Sequence, residues 1–441
     1  MSRRLSVLVV VHGPIAERMS APEIRGLEMA RTLAERHDVA LATPNGTGDR
    51  RDGVLLLPSG RRRIAEEARG RDVLVAPRVP PWLLAALAGR DTLVVADLYN
   101  PFEAERHQLA NDPVVRSELA VGRLSQRLQL EFADVVLCAV EPQRAILEAE
   151  LAALAGARAR RPDRPLLRVV PFGIGEDPPP ATRRPWREHF PQIGADDVLV
   201  VWWGNVWRWF DAVTALRALA RVVEDRPDVR LVFTAGRHPV HDRPELNATS
   251  EAREEAARLG LLDRHAFFLE EWIAQDVRHE YLLEADIGLT LARDARETTT
   301  AARGRYMDYL WAGLPCVLGA DDALSERFAA AGFASTVRAG DVEGAAAALR
   351  ALVDDPSERA RRAEAGRALV AEFRWRATVA PLVDALDEIA GTPPARAGRT
   401  AALAAGLAAY AGRRARHQAL VVRRARSGAT TTASAATNSS T

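Results

Sequence analysis

Short apolar runs recur along this chain, separated by polar turns and by stretches with helical periodicity, and this alternation constrains the fold most. The first run, residues 5–11, is almost continuously apolar, as expected for a strand buried on both faces of a parallel sheet. Residues 24–36 then place their apolar side chains along one helical stripe. The pattern predicts an α/β fold with mostly parallel sheets. The predicted strands are 5–11, 39–42, 54–57, 73–76, 93–96, 135–138 and 167–170, then 198–203, 230–234, 266–269, 287–291, 316–318 and 334–337.

A break in this alternation divides the chain. Residues 175–185 are rich in proline and polar side chains, which is typical of a linker. A chain of 441 residues is also too long for one ordinary core. We therefore predict two Rossmann-like domains that face each other across a cleft, where a ligand is expected to bind. The predicted parts are an N-terminal domain 1–174, the linker 175–185, a C-terminal domain 186–391, and an Ala/Arg-rich helix with a disordered tail, 392–441.

One stretch of the second domain, residues 297–315, carries a candidate binding site. After the strand at 287–291, the sequence predicts a polar loop up to residue 300 and a helix over 303–311. In a parallel sheet this loop lies at the carboxyl edge, and the N-terminus of the helix attracts anions. The alternative is an ordinary α/β loop followed by a capped helix. The donors available to a diphosphate are Thr298, Thr299, Thr300, Arg303 and Arg305.

Composition excludes several classes of function. Lys+Arg 60 against Asp+Glu 59 gives a net charge of +1, so nothing points to nucleic acid. The chain has no lysine, and any phosphate site must therefore use arginine, backbone N–H groups or hydroxyls. Cys138 and Cys316 lie in separate apolar runs and are expected to be buried and free. With neither a run of ~18 apolar residues nor a convincing signal peptide, we expect a cytoplasmic protein.

The sequence also gives no reason to expect a metal or a cofactor. Its His, Cys, Asp and Glu residues show no ligand spacing. Two pairs of adjacent acids, Asp196 with Asp197 and Asp321 with Asp322, are expected to be solvated.

The last part of the chain has a composition of its own. Residues 392–426 are rich in Ala and Arg, with Leu403, Leu407 and Tyr410 at helical spacing. Such a helix suits the surface of an anionic membrane, and the alternative is a solvated helix. The Ser/Thr/Ala-rich residues 427–441 are predicted to be disordered.

Several segments together resemble a known family. Residues 308–315, DYLWAGLP, resemble the E-A-M-A-x-G-x-P segment of nucleotide-sugar glycosyltransferases with the GT-B fold, family 4 type. Residues 202–211, WWGNVWRWFD, resemble the loop after the first strand of the second domain in one branch of that family. Residues 19–28, MSAPEIRGLE, resemble the first loop and helix of its N-terminal domain, and residues 97–101 and 171–173 also fit. The resemblance implies the GT-B fold over roughly residues 5–390, with 1–174 as the acceptor domain and 186–391 as the nucleotide-sugar donor domain.

The resemblance implies roles for two acids and a threonine. In the family, a carboxylate at the position of Asp308 binds the ribose hydroxyls of the nucleotide. The other acidic position, eight residues earlier, falls on Thr300 here, which departs from the family pattern. Glu297 is the nearest acid and is expected to contact the transferred sugar as a catalytic residue. The alternative is a solvated acid of the loop.

A second departure concerns the phosphates. The family's Arg and Lys in the loop after the first C-terminal strand are missing, and Asn205 and Phe210 stand near their places. Arg208 is the closest cation in that loop. The phosphate clamp is therefore expected at Arg303 or Arg305, and Arg303 is favoured because it lies nearer the helix N-terminus.

Other positions follow from the same resemblance. Trp272 and Ile273 occupy the place of the family's backbone contacts to the base, and the alternative for them is interdomain packing. Asp97 ends a strand that faces the cleft and is expected to hold the acceptor, unless it only caps the next turn. Ser20 and Ala21 are expected to offer backbone N–H groups to the acceptor or the diphosphate.

The resemblance thus implies transfer of a sugar from a nucleoside-diphosphate sugar to a glycan or lipid-linked acceptor, with retention and without a metal. The charge on the leaving diphosphate can be stabilised by a helix N-terminus and arginine. Two alternatives remain: a nucleotide-sugar epimerase of the same architecture, and a non-catalytic nucleotide-sugar-binding protein, which the departure at Thr300 suggests.

Overall fold

The computed structural model describes residues 3–107, 109–155, 165–236, 247–293 and 296–437, and for residues 155, 296 and 427–437 it describes the backbone alone. Over these residues the chain forms two α/β domains with one sheet each. The strands of the first sheet are β1 (Ser6–Val10), β2 (Asp38–Thr43), β3 (Arg50–Arg51), β4 (Val54–Pro58), β5 (Val73–Pro77), β6 (Leu93–Asp97), β7 (Val135–Cys138) and β8 (Leu166–Val169).

The first sheet has the strand order β3-β4-β2-β1-β5-β6-β7-β8. Its neighbouring strands are parallel, apart from the short β3, which is antiparallel to β4. Both faces are covered: Val7 and Val9 of β1 belong to one buried core, while Leu8 and Val10 belong to another on the opposite face. This two-sided burial explains the continuous apolar runs. The helices of this domain are α1 (Ala21–Ala34), α2 (Arg61–Arg69), α3 (Pro81–Ala86), α4 (Phe102–His107), α5 (Pro113–Phe132) and α6 (Glu141–Ala155).

The second sheet is parallel in each of its described pairings, in the order β11-β10-β9-β12-β13-β14. Its strands are β9 (Val198–Trp202), β10 (Val229–Thr234), β11 (Ala266–Leu269), β12 (Ile287–Thr290), β13 (Cys316–Gly319) and β14 (Ala334–Val337). The remaining helices are α7 (Pro185–His189), α8 (Ala212–Val223), α9 (Thr249–Arg258), α10 (Arg278–Glu284), α11 (Arg296–Thr300), α12 (Gly304–Trp311), α13 (Ala323–Ala330), α14 (Val342–Val353), α15 (Pro356–Arg367), α16 (Val370–Phe373), α17 (Trp375–Ile389) and α18 (Thr400–Thr437).

Aspartates fix the starts of helices that follow strands in this second domain. The carboxylate of Asp211 accepts a hydrogen bond from the backbone N–H of Thr214 and caps α8. Asp322 accepts from the N–H groups of Leu324 and Ser325 and caps α13. Capping of this kind satisfies N–H groups that have no partner inside the helix.

After α16 the chain returns to the first domain. Helix α17 packs against α1, and Glu388 near its end pairs with Arg168 of β8 at 2.6 Å. Arg396 is then buried in the first domain, where it donates to the carbonyl of Leu87 at 3.1 Å. Helix α18 packs along α5. The C-terminal segment is therefore part of the packing of the first domain.

The structure differs from the sequence prediction at the tail. Helix α18 continues to Thr437, whereas the sequence predicted disorder from residue 427, because no proline interrupts this alanine-rich segment. Residues 438–441 of the predicted tail lie outside the described residues. Leu403 is buried against the first domain, and Leu407 and Tyr410 pack on the same core. The predicted membrane contact stays a prediction, but these apolar side chains are already covered.

The α/β prediction is confirmed, and each predicted strand lies within one residue of an observed one at either end. Strand β3 and helix α11 were not predicted. Where the structure describes the chain, no helix combines the length and the apolar character needed to cross a bilayer.

Candidate functional site

The carboxyl edges of the two sheets face each other, and the loops that follow the strands meet between them. At one rim, the indole nitrogen of Trp272 donates to the carbonyl of Met19 at 3.2 Å, and the N–H of Gln275 donates to the carbonyl of Glu17 at 2.8 Å. At the other rim, Gln143 of α6 donates to the carbonyl of Thr300, at the end of α11, at 2.7 Å. The cleft between these rims is where the predicted site residues gather.

Arg303, immediately before α12, is buried and engages two carboxylates, and we call Arg303, Glu297 and Asp322 the Arg303 cluster. Its two terminal nitrogens donate to the two oxygens of Glu297, each at 2.8 Å. Its Nε donates to Asp322 at 3.1 Å. All three side chains are 4% exposed or less. The phosphate-clamp prediction for Arg303 therefore meets an obstacle, since a phosphate would compete with two carboxylates already in place.

Burial and charge shift the proton affinities of this cluster. Burial raises the pKa of Glu297 to about 7, although Arg303 opposes the rise. Burial also raises the pKa of Asp322. For Arg303 burial lowers the pKa, but the two carboxylates outweigh it and hold the pKa above its ordinary value. Asp322 was expected to be solvated, which is wrong: it is buried because it caps α13 and pairs with Arg303 at the same time.

Arg305, two residues further on, is the less satisfied cation. Its Nη2 donates to the carbonyl of Asn205 at 2.7 Å, and its guanidinium carbon lies 3.9 Å from the ring centre of Phe210. Its Nη1 is buried without a hydrogen-bond partner, as is the hydroxyl of Tyr306. Gly204 makes room for this arrangement, because a Cβ there would lie 3.1 Å from Nη2. Arg305 thus fills the space beside the loop in which the family's two cations are missing.

The electrostatic setting of Arg305 follows from that position. Burial lowers its pKa to about 10, and the neighbouring positive charge of Arg303 acts in the same direction. The side chain remains cationic at neutral pH. A half-buried cation with one buried nitrogen that has no hydrogen-bond partner is the kind of group that an anionic ligand stabilises.

Asp308 lies one turn further along α12 and keeps a partly open carboxylate, 28% exposed. One oxygen accepts from the indole nitrogen of Trp203 at 3.0 Å, and the other lies 3.3 Å from Nε of Arg278. Burial raises the pKa of Asp308, and Arg278 opposes this rise. Arg278 also stacks over the ring of Trp311 at 3.9 Å. The carboxylate is therefore oriented by one hydrogen bond from Trp203 and one ion pair with Arg278, and it remains partly accessible.

The neighbouring Tyr309 fixes the loop that follows β9. Its buried hydroxyl accepts from the backbone N–H of Trp203 at 3.1 Å and lies 3.0 Å from the hydroxyl of Thr290 in β12. Two residues of α12 therefore hold Trp203: Tyr309 accepts from its backbone N–H and Asp308 accepts from its indole. This ties the position of the Trp/Gly-rich loop to the helix that carries Arg305.

On the opposite wall, Asp97 is closed off by an arginine. Nε and Nη2 of Arg25 donate to its two oxygens at 2.7 and 3.0 Å, and both side chains are 2% exposed or less. Arg25 also donates to the carbonyl of Pro171 at 3.1 Å and lies over the rings of Tyr99 and Phe172. This pairing argues against the predicted contact between Asp97 and an acceptor, because both oxygens are occupied and water is excluded.

The first loop places Ser20 and Ala21 where helix α1 begins. Ser20 is buried, and its hydroxyl donates to the carboxylate of Glu23. Ala21 is the first residue of the helix and is exposed. Glu23 lies against Gly13, where a Cβ would approach it to 2.5 Å. The predicted ligand contacts of Ser20 and Ala21 stay predictions, at a helix start that faces the cleft.

The remaining predicted residues are spread around the cleft. Trp272 is half-buried and bridges the domains, as its alternative reading proposed, and Ile273 packs against the core. Arg208 is exposed. Thr299 is exposed on α11, so the predicted polar loop is in part a helix, whose final carbonyl at Thr300 is capped by Gln143 of the other domain.

Sequence reasoning missed several residues of the site. Two of them, Arg25 and Trp203, lie inside segments that carried the resemblance, so a signal was present. For the other three residues the sequence carried no such signal, because their partners are distant in sequence. The missed residues are Arg25, Gln143, Trp203, Arg278 and Asp322.

Within the described ranges, no group of three or more His, Cys, Asp or Glu side chains is arranged to hold a metal ion.

Comparison with known proteins identifies similar folds among solved structures. No protein-family model matches the chain, and no curated protein matches it either. Among solved structures, a sucrose-phosphate synthase from Thermosynechococcus elongatus is similar with a TM-score of 0.63 and 17% identity, over 88% of this chain and 99% of that one. WaaG, a glycosyltransferase involved in lipopolysaccharide biosynthesis, is similar with a TM-score of 0.59 and 18% identity, over 88% and 100%.

A third similar structure contains a ligand. Anabaena HepE in complex with UDP-glucose has a TM-score of 0.60 and 14% identity, over 87% of this chain and 100% of that one. At such identities the likeness bears on the fold, and the family 4 assignment stays a prediction. The predicted fold is confirmed: the chain has the GT-B fold, with two α/β domains whose parallel sheets face each other across a cleft.

Proposed function

We propose that the protein is a glycosyltransferase that moves a sugar from a nucleoside-diphosphate sugar to an acceptor in the cleft. The observation that carries the proposal is helix α12, which presents Arg305 with an unused buried donor and Asp308 with a partly open carboxylate. A cation and a carboxylate one turn apart match a diphosphate joined to a ribose. The UDP-glucose bound to the similar HepE structure supports the same class of ligand.

In this proposal the residues of α12 divide the donor between them. Arg305 binds the diphosphate, in place of the two missing loop cations. Asp308 accepts hydrogen bonds from the ribose hydroxyls, held in orientation by Trp203 and Arg278. The base lies toward Trp272 and Ile273, at the rim where the second sheet meets the first loop.

The chemistry follows from where charge develops. The bond between the anomeric carbon and the β-phosphate oxygen breaks, the acceptor oxygen bonds to that carbon, and the hydroxyl proton of the acceptor passes to the departing diphosphate. Negative charge grows on the departing diphosphate, and Arg305 stabilises it in a site with little water. We propose transfer with retention, without a metal, to a glycan or lipid-linked acceptor, as the resemblance implies.

One observation favours a second candidate, a non-catalytic nucleotide-sugar-binding protein. Glu297 is buried and both of its oxygens are engaged by Arg303, so it is not free to act on a sugar in this conformation. Turnover of any nucleotide sugar would exclude this candidate. Binding without turnover across a range of donors and acceptors would favour it.

The first test is a calorimetric titration with UDP, GDP and dTDP and their glucose and mannose conjugates. Asp308→Ala should weaken binding of the best nucleoside diphosphate by about ten- to a hundredfold, because a charge-assisted hydrogen bond contributes roughly 1.5–3 kcal/mol. Asp308→Asn should behave similarly, since an amide has one acceptor oxygen.

The matched control is Asp225→Ala, which removes an exposed carboxylate, 79% exposed, from the same domain just after α8. It should leave the affinity unchanged. If folded Asp308→Ala bound every nucleotide as tightly as the wild type, the ribose assignment would be wrong. If the wild type bound none of them, the proposed function would fail.

A further inference from the structure

A buried glutamine of the first domain reaches across the cleft rim. Gln143 lies in the first turn of α6 and is 5% exposed. Its amide nitrogen donates to the carbonyls of Tyr99 and Thr300, each at 2.7 Å. Its amide oxygen accepts from the N–H of Ala139, also at 2.7 Å. Both donors and the acceptor of this side chain are therefore used, and one of the three bonds joins the two domains.

The far end of that bond is the short helix that carries Glu297. Helix α11 has five residues, too few for a helix to persist without tertiary contacts. Gln143 satisfies the carbonyl of Thr300 from the other domain. Helix α11 also packs against α4 and α6 of the first domain. The shape of this segment thus depends on the first domain being in place.

We propose that Gln143 is a positioning residue that couples closure of the two domains to the arrangement of the Arg303 cluster. When the domains are closed, the amide holds the end of α11 and, three residues earlier, Glu297. When they separate, the carbonyl of Thr300 loses its buried donor and the helix loses its packing surface. The cluster then takes its closed geometry only with the acceptor domain present. This inference rests on the proposed function for its catalytic consequence.

The two rims differ in how they join the domains. At the Met19 and Glu17 rim, the acceptors are backbone carbonyls of a loop that carries none of the Arg303 cluster. At the Gln143 rim, the acceptor is the backbone of the segment that leads directly from Glu297 to Arg303. A change at Gln143 should therefore alter the Arg303 cluster, whereas a change at the opposite rim should leave the geometry of that cluster as it is.

The test uses hydrogen–deuterium exchange on the full chain. Gln143→Leu removes the amide, and Gln143→Glu keeps its size and its acceptor but removes the donors to Thr300 and Tyr99. We expect exchange of the backbone amides in residues 296–304 to become at least about tenfold faster in both variants. Gln126→Leu is the matched control, because Gln126 joins α5 to Glu150 of α6 within the first domain. It should leave residues 296–304 unchanged.

Kinetics separate positioning from a general loss of structure. With the donor identified by titration, kcat should fall by about tenfold or more in Gln143→Glu, while affinity for the free nucleoside diphosphate stays within about twofold of wild type. Unchanged exchange in residues 296–304 in a folded Gln143→Glu variant would overturn the inference. Equally faster exchange throughout the first domain would overturn it as well. Failure of nucleotide binding by the wild type would instead defeat the proposed function, and the exchange result would stand by itself.

Discussion

Each wall of the cleft buries an arginine against carboxylates, but the number of carboxylates per arginine differs between the two walls. On the first wall, Arg25 meets one carboxylate, Asp97, which uses both of its oxygens. On the second wall, Arg303 meets two, Glu297 and Asp322. The first pair balances its charges and is closed. The second draws two carboxylates onto one arginine.

Because Arg303 engages both carboxylates of the second wall, the neighbouring Arg305 has no carboxylate partner among them. Arg305 instead contacts a backbone carbonyl and an aromatic ring, and one of its nitrogens has no hydrogen-bond partner. The same residue types thus produce a buried ion pair on one wall and, on the other, an arginine with one unpaired nitrogen. The number of carboxylates and their placement, rather than residue type, separate the paired arginines Arg25 and Arg303 from Arg305, for which we propose ligand binding.

The largest expected effect is on stability and contrasts the two walls directly. Asp97→Ala leaves Arg25 buried without a carboxylate and should lower the free energy of unfolding by about 3–5 kcal/mol. Glu297→Ala should lower it by clearly less, because Arg303 keeps Asp322. Urea denaturation of both variants measures the difference. Equal losses would show that the two clusters are held in the same way.

The next effect concerns binding by Arg305. Arg305→Met should weaken the affinity for the best of UDP, GDP and dTDP by about ten- to a hundredfold, because it removes a charge-assisted hydrogen bond to phosphate. Its free energy of unfolding should be unchanged or higher, since a half-buried cation with an unpaired buried nitrogen is removed. Calorimetric titration and urea denaturation measure the two quantities.

Arg221→Met is the control for Arg305, because Arg221 is 55% exposed on α8. It should change neither quantity. If Arg305→Met unfolded the protein, or bound the nucleotide normally, then Arg305 would belong with Arg25 among the structural arginines.

The smallest effect is a dependence of stability on pH, which we expect for the second wall. Burial raises the pKa of Glu297 from 4.5 to about 7, so the folded state binds this proton more tightly than the unfolded chain does. The stability that this tighter proton binding by Glu297 contributes is fully present below the pKa of Glu297 in the unfolded chain, and it is lost as the pH rises through about 7. Glu297→Gln cannot titrate and should lack this loss.

We expect the wild type to lose on the order of 2 kcal/mol relative to Glu297→Gln between about pH 5 and about pH 8. Urea denaturation across this range tests the sign. Glu343→Gln, which changes a carboxylate that is 75% exposed, is the control and should follow the wild type. A gap between wild type and Glu297→Gln that does not vary with pH would contradict the raised pKa.

Much of the fold could be predicted because a strand buried on both faces appears in the sequence as a continuous run of apolar residues. The run at residues 5–11 needs no partner to be recognised as apolar, and the same holds for the strands of the second sheet. Helix α11 could not be predicted in this way. Its five residues are a helix because Gln143 and the first domain complete it, 157 positions away in sequence.

The candidate site divides along the same line. The sequence by itself determined the two-domain α/β organisation and placed Asp308, Arg303 and Arg305 on one helix start at the carboxyl edge of a sheet. The tertiary structure alone decided that Arg303 is closed by Glu297 and Asp322, and that Asp97 is closed by Arg25. The physical reason is that periodicity is a property of adjacent residues, whereas the pairing of a buried charge is decided by whichever distant group reaches it.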